Sequence, residues 1–125
     1  MNLTILDTPF SVVKFPQAHD IPSWATKSEF FSITRTKEEL SVVCESANVP
    51  ADISEDAEHE WKCLKVEGVL DFALTGILSS LANPLADNGI SIFAISTFNT
   101  DYLLVKAHSL EKAKLVLENA GHSFQ

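Results

Sequence analysis

Few residues of this 125-residue chain stand at spacings that support chemistry. The four histidines, His19, His59, His108 and His122, share no metal-ligand spacing and read as exposed or capping side chains. Ser109 and Lys112 meet an S-x-x-K pattern, but a helix cap accounts for the serine better. The four glycines are scattered at 68, 76, 89 and 121, so no glycine-rich loop is available to cradle a phosphate. A G-x-S-x-G elbow, an H-E-x-x-H helix and a G-x-G-x-x-G fingerprint are all missing. Cys44 and Cys63 have no C-x-x-C spacing and read as two reduced thiols. The expectation is a protein that is not an enzyme and uses no metal or cofactor.

Charge narrows the partners. Seventeen Asp and Glu against nine Lys and Arg leave a net charge of −8. Affinity for nucleic acid and for anionic lipid rests on clustered basic residues, so neither is expected. No apolar run is long enough to span a bilayer, and residues 1–7 show no basic leader. The expected location is the cytoplasm.

The elements that would position a site are clearest after residue 60. Trp61–Glu67 alternates apolar and polar and predicts a strand. Leu74, Ile77, Leu78, Leu81 and Leu85 fall on one helical face, with Thr75 favoured over Asp71 as the cap and Asn88-Gly89 as the stop. Pro84 is expected to kink this helix. Ile90–Phe98 is apolar on both faces and predicts a central strand or one at an oligomer interface. Asn99-Thr100 turns the chain into a strand from Asp101 to Lys106. Ser109 then opens a helix that Gly121 ends, and residues 122–125 suffice for a short edge strand.

The first half is less regular. Leu3–Leu6, Ser11–Phe15, Phe30–Thr34 and Leu40–Cys44 predict strands, with a short helix at Asp20–Ala25. Residues 45–60 carry six acids and no Lys or Arg, and read as a solvated connector. The expected organisation is an N-terminal subdomain at 1–60, with its acidic connector at 45–60, and a C-terminal subdomain at 61–125. The second has the β-α-β-β-α-β order of a ferredoxin-like α+β sandwich, helices on one face of an antiparallel sheet. The first is a shrunken copy in element order only.

Two stretches carry a family resemblance: Ser32–Cys44, reading SITRTKEELSVVC, and Val66–Leu78, continuing to ISTFNTDYLLV at Ile95–Val105. Together they resemble the small tandem ACT-domain proteins and the ACT repeats of CASTOR-type arginine sensors. The resemblance implies two ferredoxin-like βαββαβ subdomains and a regulatory module that binds an amino acid where the subdomains meet. It marks Ser41 and Val42, the loop with Asp71, Phe72, Leu74, Thr75 and Gly76, and then Thr97, Phe98 and Asp101. Those sensors carry glycine where this chain has Asp71 and glutamate where it has Leu74. A neutral amino acid is therefore the expected ligand rather than arginine.

The residue types suit a zwitterion. A loop before a helix offers free N–H groups to a carboxylate, and Gly76 permits close approach. Asp101 can face an ammonium, and Ser41 and Thr97 add hydroxyls. A homodimer is expected. The alternatives are a detached regulatory subunit of an amino-acid-metabolism enzyme, a small enzyme, and an assembly module without a ligand.

Overall fold

Short segments rich in Val, Ile and Phe recur along the chain, and the computed structural model, which describes residues 1–68 and 75–125, pairs them into sheet. In chain order the elements are β1 (Asn2–Ile5), β2 (Phe10–Phe15), a 3-10 turn (Ser23–Thr26), β3 (Ser32–Arg35), β4 (Leu40–Glu45) and a 3-10 turn (Ser46–Asn48). They continue with β5 (Asp56–Val66), α1 (Ile77–Asp87), β6 (Ile92–Ser96), β7 (Asp101–Lys106), a 3-10 turn (Ala107–Ser109), α2 (Leu110–Asn119) and β8 (Ser123–Phe124). Two compact units result, one of Thr8–Trp61 and one of Met1–Asp7 with Lys62–Gln125. The sequence reading grouped residues 1–60. The first seven residues instead join the C-terminal unit, because β1 pairs with Leu64–Val66 of β5 and with β8.

In the N-terminal unit the strand order is β3-β4-β2-β5, antiparallel throughout. This is the ferredoxin-like order with both helices reduced to 3-10 turns. Alternate residues face inward: Val13, Phe15, Leu40, Val42 and Cys44 are buried with Ala25 of the first 3-10 turn. The predicted connector is shorter than expected, since β5 begins at Asp56. Its exposed acids Asp56, Glu58 and Glu60 alternate with inward Ala57 and with His59, a period too weakly apolar to read as a strand. The register of β2 on β5 slips between Phe10↔Trp61 and Val12↔Glu58, so β5 carries one extra residue. Glu60 takes φ 63° in that bulge.

The C-terminal unit has the order β6-β7-β5-β1-β8. β1 lies antiparallel beside β5, and β8 runs parallel to β1. The expected all-antiparallel sheet is thus mixed: β1 fills the place beside β5 that the last strand of a ferredoxin-like fold would take. Leu81 and Leu85 of α1 and Ala113 and Leu117 of α2 pack on Leu3, Leu64, Val66, Leu103 and Val105. Each large aliphatic side chain buried there is worth about 1.5–3 kcal/mol. β6 is not a central strand, because among the described residues it pairs with β7 alone, and its side chains are half-buried or exposed.

The helix ends explain themselves locally. α2 closes with Gly121 at φ 98°, a conformation that glycine adopts without steric cost. The Gly121 N–H then bonds Glu118 O and the His122 N–H bonds Leu117 O. The same pair of bonds closes α1, as expected at Asn88-Gly89: Gly89 N–H to Ala86 O and Ile90 N–H to Leu85 O. Ser109 stands at the start of α2 as predicted, but its hydroxyl contacts His108 Nδ1 and makes no cap bond.

Candidate ligand-binding site

α1 opens differently from the expectation. The residue at its N-cap is Gly76, not Thr75, with φ 77° and no side-chain cap. The hydroxyls of Ser79 and Ser80 turn backward, donating to Gly76 O at 3.1 Å and Ile77 O at 2.7 Å. Among the described residues no side chain caps the first amides of the helix, at its positive end. Thr75 is exposed beside this opening.

At the end of β5 the chain of the C-terminal unit also presents the β6–β7 turn. Thr97 N–H donates to Thr100 O at 2.9 Å, and the Thr97 hydroxyl donates to the same oxygen at 2.9 Å. The Thr100 N–H in turn reaches Thr97 Oγ1 at 3.3 Å. Buried Thr100 donates its hydroxyl to Val66 O at 2.6 Å, tying the turn to the last residue of β5. Thr97 is therefore engaged in holding the turn. Phe98 is 79% exposed at its tip, and Asp101, half-exposed, pairs with Ser96 at the start of β7. The expected site residues Asp71, Phe72 and Leu74 lie outside the described residues.

In the N-terminal unit Ser41 and Val42 face opposite ways. Val42 is wholly buried in the core and offers no side chain to a ligand. Ser41 lines a groove of about 340 Å³ on the other face. There Lys14 stands in register with both Ser41 and Asp56, and Glu39 and Glu58 line the same groove. One ammonium among three carboxylates gives that face a negative bias.

Sequence reading missed a serine–histidine pair. At the β2–β5 bulge, Ser11 Oγ lies 2.7 Å from His59 Nδ1 and 2.7 Å from Ser46 Oγ. Their separation of 48 residues hides the pair in the sequence. Ser11 has no exposed surface, so a substrate has no path to its oxygen in this conformation. It missed a second pair as well. Pro84 has no N–H to give Ser80 O, and His122 Nε2 supplies the bond at 3.0 Å. With Nε2–H donating, Nδ1 accepts from the Met1 ammonium at 2.9 Å.

The two cysteines are free and buried, one in each unit. Burial pushes the Cys63 thiol up to about 12. Burial, and then the charge of Glu45, push Cys44 up to about 11. Both are the reverse of an activated thiol. Among the described residues no three His, Cys, Asp or Glu side chains gather to hold a metal ion, and no helix is long and apolar enough to cross a membrane.

Comparison with known proteins places this arrangement. The ACT domain family model matches residues 56–119, starting where β5 starts. A second family model, for an N-terminal domain, matches residues 9–52. The chain belongs to the ACT-domain family. It is similar to subunit 1 of the cytosolic arginine sensor for mTORC1 from Rattus norvegicus, 28% identical over 108 residues covering 80% of this chain and 32% of the sensor. The chain thus spans about a third of the length of that relative. A crystal structure of an Agobacterium tumefaciens protein matches with TM-score 0.92 at 42% identity, over 99% of this chain and 91% of that one. The regulatory subunit of aspartate kinase from Thermus flavus shares the fold at 11% identity, with TM-score 0.63 over 96% and 97% of the two chains.

Proposed function

We propose that this protein is a regulatory module that binds a small neutral amino acid at the end of its C-terminal unit. The observation that carries this reading is the start of α1. Among the described residues no side chain caps its first amides, and Gly76, without a Cβ, leaves room there for a carboxylate. Asp101 begins β7 next to a turn bonded to the end of β5, and it meets the ligand ammonium. Leu74, outside the described residues, stands where the arginine sensors have a glutamate, which argues for an uncharged side chain. The similarity to a cytosolic arginine sensor supports amino-acid binding, and the likeness to a kinase regulatory subunit supports the regulatory fold.

The test is a thermal-shift screen of the full chain against the twenty amino acids. A ligand at 100 times its Kd adds about 2.7 kcal/mol. For a chain of this size that raises Tm by roughly 8–16 °C. No shift with any amino acid at 10 mM would sink the proposal, and arginine as the strongest ligand would sink its selectivity. The same reading makes the protein a homodimer, in which the open side of β6 is covered. Sedimentation velocity at tens of micromolar checks it, and a purely monomeric species argues against it.

A further inference from the structure

We infer that the N-terminal unit carries a second binding site, for the head of a small methylated organic cation. The site is a cavity of about 280 Å³, the volume of a small ligand. Phe15, His19, Pro22 and Trp24 supply ring walls. The Phe15 ring lies 4.6 Å from that of His19 and 6.0 Å from that of Trp24, centroid to centroid, so three rings cluster on one lining. Asp52 and Glu55 also line the cavity, and no Lys or Arg does. Ring faces are negative and attract a cation, most strongly one whose water is easily shed. Methylated ammonium groups meet that condition, and the two carboxylates set the sign of charge the cavity accepts.

The walls are fixed in advance, which lowers the cost of binding. Arg35 donates to the backbone carbonyls of Gln17 and, at 2.9 Å, of His19. The His19 N–H closes a turn on Pro16 O at 3.0 Å, and its Nδ1–H donates to Asp20 O at 2.6 Å. The Ala25 N–H bonds Pro22 O at 3.1 Å, fixing the turn that carries Trp24, and the Ile53 N–H bonds Pro50 O at 3.2 Å, closing the turn that holds Asp52. Phe15 is anchored in the core. Trp24 packs against the same core, next to the wholly buried Ala25.

The experiment titrates the full chain with choline and with its uncharged isostere 3,3-dimethylbutan-1-ol at constant ionic strength, read by calorimetry and by the NMR shift of the Trp24 indole. Choline is expected to bind at least tenfold more tightly and to move the Trp24 signal. The D52N/E55Q double variant is expected to lose about tenfold for choline and nothing for the alcohol. His19→Ala, at an exposed ring, is expected to weaken choline several-fold without altering the far-UV spectrum. A peptide bearing trimethyllysine forms a further arm: binding tighter than choline identifies a protein side chain as the source, and binding weaker than choline identifies a free metabolite. Equal affinity for choline and the alcohol, choline binding unchanged in the double variant, or no binding of choline up to 50 mM each overturns the proposal.

Discussion

The two units run the same element order with different means. The C-terminal unit lays two full helices on its sheet and buries Leu81, Leu85 and Leu117 under them. The N-terminal unit spans the corresponding connections with 3-10 turns of four and three residues, and covers its core with Ala25, Trp24 and Ile53. A helix seals a sheet face along its whole length. A short turn seals one spot and leaves concave ground beside it, and the ring-lined cavity lies there. The helical unit instead offers a helix terminus. In the two sites proposed above, the loss of helices thus exchanges one kind of recognition surface for another.

Core substitutions test this comparison most strongly. Leu85→Ala and Leu40→Ala each remove a wholly buried side chain, one per unit. Both are expected to cost about 2–5 kcal/mol, with Leu85→Ala the larger, because the thin cover of the N-terminal unit relaxes into the space left. Urea titration measures both, and the reverse order would break the comparison. Asp101→Asn comes next. It keeps the size and removes the charge, and amino-acid affinity is expected to fall about tenfold to a hundredfold with the apo Tm unchanged. A large drop in apo Tm would make Asp101 a structural residue.

Gly76→Ala is expected to cost about 1–2 kcal/mol, since among the described residues the added Cβ meets only Ser79 Oγ at 3.8 Å and the penalty comes from φ 77°. A neutral effect would show that the start of α1 is free to rearrange. His122→Ala should cost about 1 kcal/mol, the worth of its bond to Ser80 O. In a Pro84→Ala background, where residue 84 again donates to Ser80, most of that cost should vanish. Additive effects would refute the account of the proline.

The smallest effect near neutrality is that of the thiols. Their folded pKa values lie above the ordinary thiol value, so folded and unfolded chains hold the same protons below about pH 9. Above it the unfolded chain alone loses them, and stability should fall as pH rises toward 11–12. Chemical denaturation between pH 7 and pH 10.5 checks this, and a flat profile would contradict the burial of both cysteines.

The fold was legible where a single period dominates. The apolar stripe of α2 and the β-branched and aromatic residues of β2 and β4 predicted those elements closely, and the two helix stops were written in Gly89 and Gly121. It was obscured where charge overrides period. β5 begins among acids that stand outward, so Asp56–Glu60 looked like a linker. The apolar run of β6 suggested a central strand, yet sequence cannot tell a strand buried in its own sheet from one whose side is left open. Of the residues marked for a site, Gly76 opens α1 and Asp101 begins β7, whereas Val42 is turned to the core by simple alternation with Ser41. The Thr97 hydroxyl is spent on its own turn. The ring cluster of Phe15, His19 and Trp24 was not seen at all, since its members come together only through a 3-10 turn.

The place of β1 has a consequence for how the molecule is made. β1 pairs with Leu64–Val66 and with Ser123–Phe124, so residues 2–5 leave the ribosome well before the partners they need. At about 5–20 residues per second, the roughly 60 residues before the first of those partners take about 3–12 s. Throughout that interval Leu3 and Ile5 lack the strand partners they have in the fold. The N-terminal unit, contiguous from Thr8 to Trp61, has every strand it needs by then. Assembly on the ribosome therefore begins with the N-terminal unit, and β1 is set in place after it.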